Sequence, residues 1–231
     1  MYWDDIGYLL SKNRFNENSV IAEFFTQNHG KFTGLIFGAT SKKIKNYLQI
    51  GNKLSLNYNY KTEENYGYFK VEILKVTTPF FFNDKKKLLC INMAMNLIKL
   101  LTAESQENIK IFNSIEDFFD NLNDNQWFKK YIFWELKILE LVGYNIDFKK
   151  FIKSEVINSN KKYYLEVNKN KKYVPNFLIE KCDKGNVDKE SFVKSLSIIG
   201  DYMYKNILQP NNIVYPNSRL EFINLINKSN L

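Results

Sequence analysis

The sequence predicts a multi-domain α+β protein: a small closed β-barrel over residues 1–80, then an α-helical domain over residues 81–231 with a short β-hairpin insert near residues 151–175. Three observations predict it. Up to Pro79 apolar residues alternate with a period of two. Beyond Pro79 they recur at helical spacing. Within the helical half, residues 151–175 lose that spacing and become rich in Lys, Asn and Tyr.

The barrel comes first in chain order. "IGYLLSKNRF" is apolar and ends at the polar turn Asn16-Glu17-Asn18. "SVIAEFFTQ" is β-branched and aromatic, and "NHG" is a tight-turn signal in which Asn28 or Gly30 can take positive φ. "KFTGLIFGA" then puts Phe32, Gly34, Ile36 and Gly38 on one face, the glycines suiting sharp barrel bends. "KLSLNYNYK" puts Leu54, Leu56, Tyr58 and Tyr60 on one side, and "YGYFKVEILKVTT" runs into Pro79. Five strands joined by short turns favour closure, which removes the free edges of so apolar a sheet.

In the second half, "KKKLLCINMAMNLIKLLTAES" sets Leu88, Ile91, Met95, Ile98 and Leu101 at helical spacing. "NSIEDFFDNL" predicts a helix capped by Asn113 or Ser114, with acids in its first turn. "DNQWFKKYIFWELKILELVGYN" predicts an amphipathic helix with Phe128, Ile132, Trp134, Leu136, Leu139 and Val142 on its apolar line, stopped at Gly143. "VDKESFVKSLSIIGDYMYKNIL" and "SRLEFINLI" predict two more. Before them, "SNKKYYLEVNKNKKYVPN" reads as a hairpin turning at Asn168 to Asn170. No internal repeat or long linker interrupts the chain.

Composition narrows the function. The net charge of +8 points to polyanions or anionic surfaces. Only two of the cations are arginines, and the excess of Lys, Asn and Ile has the look of an A/T-rich coding bias, so where the charge sits matters more than its sum. Residues 24–62 carry six lysines and no acid; residues 83–147 carry eight lysines and ten acids; residues 148–184 carry ten lysines and four acids. Cys90 and Cys182 lie far apart, outside any CxxC pattern, and read as reduced thiols of a cytoplasmic protein. The start "MYWDDIGYLL" has no apolar leader core, and apolar runs break well before the about 18 residues of a membrane span, so no membrane partner is expected.

Catalytic chemistry is poorly represented. His29 is the one histidine and sits in the NHG turn, a normal place for a polar residue, and a general base would also need an orienting partner in reach. No HExxH, P-loop or GxGxxG occurs. Asp4-Asp5, Glu63-Glu64 and Glu116-Asp117 are sequence neighbours, and neighbours on a strand point to opposite faces. The reading is of no enzyme, no cofactor and no metal. Binding chemistry is better represented. Single-stranded nucleic acid needs lysines for phosphates and aromatic faces for bases. The acid-free segment supplies Lys31, Lys42, Lys43, Lys45, Lys53 and Lys61, with Phe32, Phe37, Tyr47, Tyr58 and Tyr60 among them. A barrel so decorated is how OB-folds bind oligonucleotides. For each aromatic the competing role is core packing, above all for Tyr58 and Tyr60, which share a face with Leu54 and Leu56.

The order of motifs resembles the RecO family of bacterial recombination mediators. The resemblance rests on "WDDIGYLL" (Trp3 to Leu10), Arg14, Glu17 and Ser19, then Phe25, Thr26, His29 and Gly30. It continues through Gly34, Gly38, Ala39 and Ser41, then Leu48, Gln49, Gly51 and Asn52, and ends on "FWELKILELVGYNIDF" (Phe133 to Phe148). No single motif is diagnostic; their order and spacing are. The resemblance implies an N-terminal OB-fold followed by a helical domain. It implies a DNA repair and recombination mediator that binds single- and double-stranded DNA and anneals complementary strands. With RecR, it would help to load RecA on strands coated by single-strand binding protein, in the cytoplasm at the nucleoid. Arg14, Lys31, Lys42, Lys43 and Lys45 fall at basic positions of the family's barrel, Lys61 where arginine is frequent and Tyr58 where tryptophan is frequent. Lys for Arg keeps the charge but loses bidentate phosphate geometry.

The chain departs from the family in its insert. Many members hold zinc there on a cysteine cluster; here Phe151 stands near the first cysteine position and Cys182 is the nearest thiol. The ligands for structural zinc are lacking, so the insert must hold by packing, with Tyr163, Tyr164, Tyr173 and Phe177 as anchors. Two alternatives stay open from the residues: a protein-interaction scaffold, and an RNA-binding OB-fold protein.

Overall fold

The computed structural model describes residues 2–60, 66–157, 159–167, 169–180 and 187–228. Lys61 and Cys182 lie outside the described residues. The chain divides into two compact units, Met1–Asp120 and Asn121–Leu231.

The first unit opens with a closed barrel in the order β1-β2-β3-β5-β4. Its strands are β1 (Tyr2–Arg14), β2 (Ser19–Thr26), β3 (Gly30–Phe37), β4 (Lys53–Asn59) and β5 (Tyr68–Lys75). The pairs are antiparallel except β3 with β5, which closes the barrel in parallel at Leu35 and Tyr68. This is the OB-fold. The alternation read from the sequence selects the core: Trp3, Leu9, Phe24, Ile36, Leu54, Leu56, Tyr58 and Phe69 all point inward and are buried. Gly30 turns the β2–β3 hairpin at φ +74°, and a Cβ there would collide with the Gln106 carbonyl.

Between β3 and β4 lies a short helix, α1 (Lys42–Tyr47), where the sequence reading placed a lysine-rich loop. The Ser41 hydroxyl caps it by accepting from the Ile44 N–H at 3.4 Å, and Ile44 and Tyr47 pack on the barrel core. After a 3₁₀ turn (Thr78–Phe81) come α2 (Lys85–Leu101) and α3 (Ile109–Asn121). Asp84 caps α2 by accepting from two backbone N–H groups. The third helix begins four residues before the predicted cap, because the Asn108 carboxamide accepts from the N–H groups of Lys110 and Ile111. Tyr8 of β1 packs against Phe112 and Phe119 of α3, at 5.4 and 5.8 Å between ring centroids. Helices α2 and α3 thus belong to the barrel's compact unit, although the hydrophobic period changes near residue 80.

The second unit holds α4 (Trp127–Leu141), α5 (Phe148–Phe151), β6 (Ile152–Ile157), β7 (Asn160–Val167) and β8 (Asn170–Val174). It ends with α6 (Asn176–Glu180), α7 (Lys189–Met203, continued by a π-turn over Tyr204–Leu208) and α8 (Asn217–Lys228). Gly143, at φ +92°, ends the α4 segment. Helices α4, α7 and α8 share a core around Ile138, Phe192, Leu196 and Phe222. Inside it the Arg219 guanidinium donates to Glu135 Oε1 and, at 2.7 Å, to the Leu196 carbonyl. Burial pushes the Glu135 carboxyl upward, Arg219 offsets part of that, and Glu135 holds Arg219 firmly cationic.

The predicted hairpin is two strands of a three-stranded antiparallel meander, β6-β7-β8. The added strand, β6, was missed because its alternation is charged against small or apolar residues on an exposed sheet rather than a clean apolar face. Tyr164 meets Tyr173 edge-on at 6.2 Å, and Phe177 meets Phe133 at 6.0 Å.

Candidate nucleic-acid interface

The lysines of the acid-free segment separate into two groups. Lys42, Lys43 and Lys45 stand on α1, all exposed and none in an ion pair among the described residues. On the same helix end, Lys12 donates to the Leu48 carbonyl, and burial together with the neighbouring Lys45 charge lowers its pKa. Like charges therefore crowd here, with no ion pair to Lys12 or Lys45 among the described residues.

The rim continues from α1 to the β1–β2 turn. Ala39 N–H donates to the Asn18 carbonyl at 3.0 Å, and the Thr40 hydroxyl to Asn18 Oδ1 at 3.0 Å. That turn carries Arg14, exposed and bonded through Nε only to the Asn16 carbonyl at 3.2 Å. Beside it Phe15 is 53% exposed. Phe37, opposite Ser19 in the β2–β3 register, is 58% exposed and lies 5.9 Å from the Tyr68 ring. Exposed apolar rings and cations that make no ion pair among the described residues are what a strand of unpaired bases and phosphates requires. Of these aromatics, Phe15 and Tyr68 were not singled out from the sequence. An aromatic inside the polar turn after β1 was the available signal for Phe15; for Tyr68 there was none, since it depends on barrel closure.

Three other predicted contacts are already engaged by groups of the protein itself. Tyr58 is 5% exposed; one ring face stacks on Trp3 at 4.8 Å and Phe69 packs 4.9 Å away. Burial raises its phenol pKa. Its ring is core and has no face to offer a base. Lys53 bonds to Glu116 of α3 and lies over the rings of Tyr8 and Phe112, at 5.6 and 5.1 Å. Lys31 donates to the Lys99 carbonyl at 3.0 Å and faces Glu104 at 3.6 Å. Acid-free sequence is not acid-free space: α2, α3 and their connection bring Glu104 and Glu116 to the barrel. Lys61, the remaining predicted contact, lies outside the described residues. Of the other predicted aromatics, Phe32, Tyr47 and Tyr60 pack against the barrel core.

His29 does structural work. Its Nδ1 lies 2.7 Å from Asp5 Oδ2, and its ring stacks on Trp3 at 4.1 Å. Asp5 also accepts from the Asn28 N–H and Nδ2, each at 2.9 Å, which ties the hairpin turn to β1. The adjacent Thr26 hydroxyl is spent on the Gly30 carbonyl at 2.9 Å. Among the described residues no group of three His, Cys, Asp or Glu could hold a metal, and Phe151 stands 64% exposed. No helix among them is long and apolar enough to cross a membrane.

Residues 1–77 match the family described as Recombination protein O N terminal, and residues 83–220 match Recombination protein O C terminal. A protein of Rickettsia africae named DNA repair protein RecO is 36% identical over 146 residues, 63% of this chain and 61% of that protein. Its namesake in Rickettsia typhi is 38% identical over 152 residues, 66% of this chain and 64% of that one. The similarity thus spans less than two thirds of the length of these relatives.

Proposed function

The chain belongs to the recombination protein O family, and from that premise we propose that it is a non-catalytic mediator of DNA repair and recombination. Its barrel rim binds single- and double-stranded DNA through Arg14, Lys42, Lys43 and Lys45, with Phe15 and Phe37 beside them for unpaired bases. It anneals complementary strands, and it works with RecR to help load RecA on strands coated by single-strand binding protein. The observation that carries this reading is the set of exposed α1 lysines, in no ion pair among the described residues, on a rim that hydrogen bonds to the turn bearing Arg14 and exposed Phe15. Annealing needs no acid or base. It needs a cationic surface that offsets the repulsion of two polyanions and releases their counterions. The relatives' printed name, DNA repair protein RecO, supports the same assignment.

The test is annealing of fluorescent complementary oligonucleotides without ATP, from about 50 to 200 mM salt, the range in which phosphate contacts matter. The protein accelerates pairing, and the acceleration fades as salt rises. No binding at the lowest salt would overturn the reading in favour of a protein-interaction scaffold. Preference for an RNA competitor would overturn DNA as the ligand.

A further inference from the structure

The turn Thr78–Phe81 and the residue after it present three consecutive phenylalanines with opposite fates. Phe81 is 7% exposed, and the Lys87 ammonium lies 5.6 Å from its ring centroid. It anchors the turn. Phe80 and Phe82 are 80% and 55% exposed, and Val76, just before the turn, is 41% exposed. Burial of apolar surface is the main force of folding, so two outward phenylalanines on an ordered turn gain little from this fold.

The turn is held, and held to α1. The Thr77 and Thr78 hydroxyls donate to the Gly51 and Ile50 carbonyls, each at 2.5 Å. Asn52, fully buried, joins the two segments. Its Nδ2 donates to the carbonyl of Tyr47, the last residue of α1, at 3.0 Å. Its Oδ1 accepts from the N–H groups of Thr77 and Thr78, at 3.0 and 3.3 Å. The exposed rings are thus fixed at the C-terminal end of the helix that carries the unpaired lysines. Three residues after Phe82, at the start of α2, Lys85 is exposed and makes no ion pair among the described residues. Residues 78–82 fall between the two stretches matched to the family.

We propose that Phe80 and Phe82 form a base-stacking site for single-stranded nucleic acid, continuing the strand path that starts at Lys42, Lys43 and Lys45. This rests on the function proposed above and extends it to a second aromatic platform. The α1 lysines, tied to the turn through Asn52, and Lys85 at the start of α2 favour a polyanion over an uncharged apolar partner. Exposed rings select unstacked bases, which a duplex does not offer.

The test compares the unsubstituted chain, Phe80→Ala/Phe82→Ala and Phe80→Trp, each titrated with a fluorescent oligothymidylate and with a duplex. The double alanine variant binds the single strand at least about ten-fold more weakly, as expected for losing two stacked bases. Duplex affinity and the salt slope stay unchanged, because the lysines remain. Phe80→Trp adds an exposed indole to a chain whose three tryptophans are buried, and its emission is quenched by the oligonucleotide. Single-strand affinity unchanged by the alanines, or equal losses on strand and duplex, would overturn the stacking site alone. An unquenched indole would do the same. No binding by the unsubstituted chain would overturn the function proposed above and this site with it.

Discussion

Two lysine-rich regions look alike in the sequence and differ in space. On α1, Lys42, Lys43 and Lys45 are exposed and make no ion pair among the described residues. On the β6-β7-β8 meander, Lys153 is bonded to Glu166 and Lys171 to Glu155, while Lys172 reaches Asp201 at 2.6 Å. The β-register explains the second case. Lys153, Glu155, Lys162, Tyr164, Glu166, Lys171 and Tyr173 all fall on one face, where cross-strand neighbours alternate in sign. That face is largely self-neutralised, and the Tyr173 hydroxyl donates to Glu155 at 2.7 Å. The insert therefore coheres through a ladder of opposite charges and tyrosines. A lysine count locates positive charge; only its pairing says whether that charge is available to a partner.

The largest expected effect comes from the limiting case of pairing, the buried Arg219–Glu135 contact. Arg219→Met strands a carboxylate inside the α4-α7-α8 core. It should cost about 3–5 kcal/mol, read from urea unfolding, because the lost partner leaves a desolvated charge. Removing both charges with Glu135→Leu/Arg219→Met should recover most of that loss. A double variant as unstable as the single one would show that packing, not charge, dominates there.

Next, neutralising Lys42, Lys43 and Lys45 together to Gln should make log Kobs against log salt shallower by roughly 2, about 0.7 for each phosphate contact on a single strand. Stability should stay within about 0.5 kcal/mol, since these side chains touch no core. An unchanged slope would remove α1 from the interface. The complementary experiment uses Glu155→Gln/Glu166→Gln, which frees Lys171 and Lys153. DNA affinity should rise and the slope steepen, by less than the α1 loss. A null result would mean that the insert's position, not its pairing, keeps it from DNA.

The smallest effect concerns pH. Burial tends to raise the Glu116 carboxyl, but its bonds to Lys53 and Tyr8 outweigh that and leave it below the usual carboxylate range. A carboxylate depressed in the folded state adds stability above its unfolded pKa and loses it as pH falls through the folded value. Acid unfolding should therefore begin at higher pH in Lys53→Met than in the parent chain. Coincident acid profiles would mean that Lys53 contributes only packing over Tyr8 and Phe112.

The barrel was legible in the sequence because a half-buried strand writes its inner face as alternate residues, and Leu54, Leu56 and Tyr58 state that face directly. The same alternation foretold that Tyr58 would be core, against its place among the stacking candidates. Helices α2, α4, α7 and α8 were legible from their period, and Gly143 from its need for positive φ. What stayed hidden was set by neighbours far along the chain. Lys53 met Glu116, Lys31 met Glu104, and Glu135, on a helix read only for its apolar line, met Arg219. The meander's strand β6 lacked a clean apolar face, and the short helix α1 was too brief to show a period.

The sequence by itself determined where strands give way to helices, which residues face the barrel core, and that the chain carries lysines without carboxylates over residues 24–62. These are local properties, written in the spacing of neighbours. The tertiary structure alone decided which of those lysines keep an available charge and which aromatic rings stay uncovered. Charge compensation and ring burial depend on distance in space: α3 and the α2–α3 connection brought acids to Lys53 and Lys31, while Lys42, Lys43 and Lys45 have no ion pair among the described residues.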